Sequence, residues 1–222
     1  MTGKSPMIKE VAGVRIPDSA LAQAATTLAL EASPDFLFNH ALRSFVFGVL
    51  AGQKLKLAFD PELFYVSAIL HDLGLTPAWE RAERFEVDGA DAARDFCLKH
   101  NVAPEKAERV WDAIALHSTV GIAPRKGAEA ALVQIGAGTD VFGFGVELLA
   151  LSDIQRVIAE VPRHGFGRKF SDLLVDIARR KAKQHAFTFV AEVAREHVHG
   201  FPGPTYKELF AHWASVVEPD AR

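Results

Sequence analysis

Cysteine is almost missing from this 222-residue chain: Cys97 is the only one. A lone thiol closes no intramolecular disulfide, so the fold must be held by packing. A reducing compartment, the cytoplasm, is the expected location. Excess charge of one sign is missing too, with 25 Lys and Arg against 28 Asp and Glu and a formal net charge of −3. Nothing in that balance attracts nucleic acid or an anionic membrane, and neither is expected as a partner. Long apolar runs are absent; the stretches at 45–51 and 63–70 fall well short of the ~20 residues a membrane helix needs. The N-terminal MTGKSPMIKE lacks the apolar core of a secretory leader. Alternating strand patterns and hairpin turn pairs are essentially absent.

What is there is an ordinary globular balance, 49% hydrophobic and 24% charged, in a chain long enough to bury a sizeable core. Apolar residues recur at helical spacing. Asp18 is placed to cap a helix over 18–32 that Ser33-Pro34 ends. Asp35 opens a second helix over 35–54, with Phe38, Leu42, Phe45 and Val49 on one face. Asp60-Pro61 reads as an N-cap followed by proline at the first helical position, with Gly74 as the stop. Further helices are predicted over 88–100, 104–117, 128–142, 152–161, 169–185, 188–197 and 205–216, with Ser152 and Gln155 as a capping box for the fourth of these. No linker or repeat divides the chain. The expectation is one all-α domain, a helical bundle over 18–222 preceded by an N-terminal extension, 1–17.

Five residues on those helices carry chemistry. His71-Asp72 follows the apolar run LFYVSAIL at a helix C-terminus, where orphan carbonyls and the helix dipole favour a cation. A carboxylate there is costly to bury without a metal or cationic partner. His40 lies inside the second helix, with Arg43 and Ser44 on the same face. His117 ends a helix, and Asp140 sits near the end of the helix over 128–142. Imidazole and carboxylate suit zinc, iron and manganese alike. Each residue alone has an ordinary structural explanation; together they form a candidate metal site.

The pattern His40, His71-Asp72 and Asp140, with Arg43 three residues after the first histidine, resembles the HD superfamily of metal-dependent hydrolases. The stretch 84–90, Ala115-Leu116-His117-Ser118, Gly136 to Asp140 and the late helix over 181–185 are similar to its cyanamide hydratase-like branch. The resemblance implies an all-helical HD domain holding one divalent ion, zinc first with iron or manganese as alternatives, on His40, His71, Asp72 and Asp140. It also implies addition of water to a small nitrile-type substrate, cyanamide giving urea. In that reading His117 and Asp72 are catalytic, while Arg43 and Glu86 support the site or contact substrate. Two alternatives stand beside it: a phosphohydrolase of a nucleotide or small phosphate ester, drawing on Arg81, Arg125 and Lys126, and a non-catalytic HD ligand-sensing module. A homodimer is compatible with a helical enzyme of this size.

Overall fold

A computed structural model of the chain describes residues 8–217. It divides into two compact units, one ending at Lys169 and the other beginning at Phe170. Residues 1–7 of the expected N-terminal extension lie outside the described residues.

The first unit opens with a hairpin that the sequence patterns did not announce. Strands β1 (Glu10–Val11) and β2 (Val14–Arg15) pair antiparallel. Between them Ala12 and Gly13 both take positive φ, 50° and 84°, the requirement of the type I′ turn that suits hairpin twist. The alanine hides the usual Asn-Gly or Asp-Gly signal, and two-residue strands are too short to show alternation. Val11, Val14 and Ile16 anchor the hairpin in the core.

Seven helices follow in this unit, α1 (Ala20–Ala32), α2 (Asp35–Leu55), α3 (Pro61–Leu70), α4 (Phe85–Lys99), α5 (Pro104–Ala115), α6 (Ala128–Phe142) and α7 (Leu151–Glu160). α3 is the axis of the bundle. All eight residues Leu63 to Leu70 are buried, and the helix touches α1, α2, α4, α5 and α6. A helix apolar on every face is stable only when surrounded in this way. Its start follows the sequence: the Asp60 carboxylate accepts hydrogen bonds from the backbone N–H groups of Glu62 and Leu63, with Pro61 in the first turn. α2 and α6 run close together. A Cβ on Gly136 would overlap the carbonyl of Ser44 and lie 3.2 Å from the Gly48 nitrogen, so only glycine admits this approach.

Several helix ends differ from expectation. Ser19, not Asp18, caps α1 by accepting from the Ala22 N–H. α4 begins three residues before Asp88, which is buried and instead accepts from the N–H groups of Arg81 and Glu83. Ser152 lies inside α7, whose N-cap residue is Ala150 and has no side-chain cap bond. α5 stops at Ala115, leaving His117 in the turn beyond it. α3 stops before His71; Asp72 then leads into a short 3-10 turn, Leu73–Leu75.

The helix expected over 169–185 is two, α8 (Phe166–Arg180) and α9 (Ala182–His185), separated at Lys181 with φ −128° and ψ 45°. In the second unit α9 packs on α10 (Phe189–His197). α11 (Tyr206–Val217) ends the described chain. The all-α class holds: eleven α-helices and one two-stranded sheet among the described residues. No helix there is long and apolar enough to cross a membrane. Cys97 is buried and free, and burial pushes its thiol up to about 11.

Candidate metal centre

Three neighbouring helices deliver the site. α2 supplies His40 and the end of α3 supplies His71 and Asp72. The turn after α5 supplies His117. The α3 terminus is seated by a close approach, since a Cβ on Gly74 would overlap the Phe85 carbonyl and lie 2.8 Å from the Gly89 nitrogen. That contact presses the turn bearing Asp72 against the start of α4. His40, His71 and Asp72 are all buried, and His117 is 9% exposed.

The imidazoles are oriented alike. His71 Nδ1 lies 2.7 Å from the Ala68 carbonyl and His117 Nδ1 lies 2.6 Å from the Ile114 carbonyl. A carbonyl only accepts, so Nδ1–H donates in both rings and each Nε2 keeps its lone pair. His40 Nδ1 lies 2.7 Å from Asp140 Oδ2 and donates to it in the same way. All three Nε2 atoms then face inward. His40 Nε2 is 3.2 Å from His71 Nε2 and 3.5 Å from Asp72 Oδ2, and His71 Nε2 is 3.4 Å from that oxygen. His117 Nε2 stands 3.8 Å from the other oxygen, Oδ1.

At the centre is an unsatisfied anion. Both carboxylate oxygens of Asp72 are buried and neither accepts a hydrogen bond. Lone pairs converging on a bare buried carboxylate are mutually repulsive, and such an arrangement needs a cation to be stable. The spacing suits one. Ligands held at ~2.1 Å in a tetrahedron stand ~3.4 Å apart, and the three distances here are 3.2, 3.4 and 3.5 Å. His40, His71 and Asp72 form a compact group able to hold a metal ion, with every ligand atom within 4.8 Å of the others. Burial lowers His71 from its usual 6.5 to about 4, with Asp72 opposing and the two other histidines assisting. The ring is thus neutral, as a ligand must be.

That shift predicts an acid sensitivity of the metal-free protein. His71 binds its proton near 6.5 when unfolded but only near 4 when folded. Between those values the unfolded chain carries more protons, so stability is present above about 6.5 and is lost as pH falls toward 4. The full loss is on the order of 3 kcal/mol. Urea denaturation in chelator at stepped pH measures it, and His71→Gln should flatten the curve across that window. An equal slope in both proteins would contradict the account.

Asp140, expected as a fourth ligand, is placed elsewhere. It sits behind the His40 ring, at Nδ1 rather than Nε2. Arg43 grips it with Nε to Oδ1 at 2.8 Å and Nη2 to Oδ2 at 2.7 Å, and Arg163 Nη1 reaches Oδ1 at 2.7 Å. Burial raises the Asp140 carboxyl, but its bonds to Arg43 and His40 outweigh that and hold it well below the usual carboxylate range. Arg163 and Phe166, which the sequence reading passed over, complete this side. Phe166 stacks on His40 with centroids 4.6 Å apart, and both guanidinium groups lie over its ring, at 5.5 Å for Arg43 and 5.0 Å for Arg163.

Glu86 occupies the opposite side. It is fully buried, held by Arg84 through Nε at 3.0 Å and Nη2 at 2.5 Å, and accepts from Ser118 Oγ at 2.6 Å. Burial raises its carboxyl, but the hydrogen bonds and charge of Arg84, with the Ser118 bond, outweigh that and hold it below the usual glutamate value. Glu86 thereby fixes the residue next to His117. The other cations considered for phosphate face outward, with Lys126 2.9 Å from Asp112 and Arg81 3.8 Å from Asp95.

Comparison with known proteins agrees with this geometry. No curated protein matches the chain. Residues 37–139 match the family model of the HD domain, a segment that contains His40, His71, Asp72 and His117 and stops one residue short of Asp140. Paired imidazoles and a carboxylate on converging helices, suited to a divalent ion, sit inside that segment, and over it the chain is similar to the HD domain.

Proposed function

We propose that the protein is a metal-dependent hydratase or hydrolase that adds water to a small nitrile-type substrate, with cyanamide giving urea as the reference reaction. The observation that carries the metal is the buried Asp72 carboxylate without a hydrogen-bond partner, surrounded by three Nε2 atoms. A divalent ion bound there lowers the pKa of water toward ~7 and makes it a nucleophile at neutral pH; zinc, iron and manganese all suit the donors. His40, His71 and Asp72 are the residues that would hold such an ion.

His117 is the acid–base group. Its Nδ1–H is anchored to the Ile114 carbonyl, so Nε2 is the working nitrogen and faces the outer oxygen of Asp72. It accepts a proton from the attacking water as the oxygen bonds to the nitrile carbon. It then returns that proton to the nitrogen as the carbon–nitrogen π bond opens. The adduct is isourea, which tautomerises to urea; the imidazole is unchanged over the cycle. Glu86, ionised nearby, favours the transient imidazolium.

A compact substrate is favoured by burial, since the site residues are at most 9% exposed. The dispersed Lys126 and Arg81 weigh against a phosphate ester, which calls for converging cations. Purified protein loaded with each divalent metal is assayed for urea from cyanamide and for phosphate from a nucleotide panel. Urea release that falls by about 10²–10⁴ in His117→Asn is expected. Phosphate release without urea would replace this reading with the phosphohydrolase.

A further inference from the structure

We infer that Asp140 is a positioning residue that holds His40 and does not itself ligate the metal, and that Arg163 and Phe166 belong to the same support. The inference rests on the metal reading above and departs from the ligand set that the HD resemblance implies.

Three observations carry it. Asp140 meets His40 at Nδ1, the ring nitrogen on the far side from His71 and Asp72, so the carboxylate lies behind the imidazole. Its capacity is also spent. Oδ1 accepts from Arg43 Nε and Arg163 Nη1, and Oδ2 accepts from Arg43 Nη2 and His40 Nδ1, all at 2.7–2.8 Å. Turning an oxygen to a metal would break at least one short bond to a guanidinium. Finally, the support is built from outside. Arg163 also donates to the Asp140 main-chain carbonyl at 2.8 Å. Arg43 Nη1 donates to the carbonyls of Val161 and Pro162 at 3.3 and 3.1 Å, and Asn39 Nδ2 donates to Pro162 at 2.9 Å. The segment from Val161 to Phe166 is thereby tied to α2, and Phe166 covers the face of the His40 ring.

The physical effect is to fix one tautomer and one ring angle. With Nδ1 committed to the Asp140 carboxylate, Nε2 is the nitrogen left to face His71 and Asp72. A carboxylate behind a metal-binding imidazole also raises its basicity, and losing such a partner typically weakens metal binding about 10–100-fold.

Cobalt(II) alone is the probe, titrated into metal-free full-length protein and its Asp140→Ala and Asp72→Ala variants. Affinity is read by calorimetry and the donor set by the visible d–d absorption. Asp140→Ala is expected to bind one equivalent, about 10–100-fold more weakly, with band positions and intensities of the parent. Asp72→Ala is expected to lose stoichiometric binding or change the bands. An Asp140→Ala spectrum altered as Asp72→Ala alters it would mean an oxygen donor was lost and would overturn the inference while leaving the metal reading intact. A parent protein that binds no cobalt would overturn the metal reading and the inference with it. Should Asp140→Ala fail to fold, Arg163→Gln serves. The zinc-loaded protein should show a His40 Nδ1–H proton resonance that moves in this variant, with the His71 Nδ1–H unmoved. An unmoved His40 resonance would overturn the inference.

Discussion

Asp72→Asn should gain stability and lose function together. In the metal-free parent both oxygens of Asp72 are buried beside inward-facing imidazole nitrogens and accept no hydrogen bond. Replacing the charge with a neutral amide of the same shape removes most of that desolvation penalty and offers two donors to the facing Nε2 lone pairs. The metal-free variant is therefore expected to be more stable than the metal-free parent by about 1–3 kcal/mol. Metal binding moves the other way: an amide oxygen is a weak ligand, and metal content and turnover should fall to background. Urea denaturation in chelator, paired with elemental analysis of purified protein, reads both. A variant less stable than the parent without metal would show that the carboxylate is satisfied by the fold itself, and the case for a cation would lose its main support. Most substitutions of buried residues destabilise, so the sign alone is diagnostic.

Arg43→Leu should have the largest effect on stability. Arg43 is fully buried, donates two short bonds to Asp140 and two more to the Val161 and Pro162 carbonyls. Leucine leaves Asp140 with Arg163, which is one-third exposed, and His40. Removing one partner of a buried ion pair costs about 3–5 kcal/mol, and thermal or urea denaturation measures it. Lysine should restore little, since a single ammonium cannot reproduce the two-point grip of a guanidinium on a carboxylate. A loss under 1 kcal/mol would mean that Arg163 and His40 suffice to hold the charge.

Much of the centre was legible in the sequence for a local reason. His71-Asp72 follows an apolar helix that can only be a buried one, and the Asp60-Pro61 start fixes where that helix ends. The register of a short, well-capped helix thus places the dipeptide at its terminus. Helix existence was equally plain for α2 and α6, where apolar spacing and glycines agree. What escaped lies where local signals end. The α4 start was misplaced because Asp88 resembles an N-cap but bonds back to Arg81 and Glu83. Arg163 follows α7 in a short turn and Phe166 opens α8, both more than 120 positions from His40, and nothing in their sequence neighbours ties them to α2. Asp140 was located, but its contact with His40 Nδ1 was not legible. Spacing puts it on the correct helix and says nothing about which imidazole nitrogen it meets.

The tie between α2 and the segment from Val161 to Phe166 also bears on how the chain comes to be made. His40 leaves the ribosome long before Asp140, 100 residues later, and the phenyl ring that covers it follows after a further 26. Until then the α2 face bearing Arg43 has no anion to meet, and the pocket around Asp72 has no closed wall. A nascent chain can assemble α1 to α5 by mostly neighbouring contacts, whereas completion of the centre waits on closure of a loop longer than 100 residues, a slow kind of step. On the metal reading proposed above, full-strength metal binding is expected only after that closure, and a chain stalled before residue 166 should emerge with its helices formed and the support behind His40 unfinished.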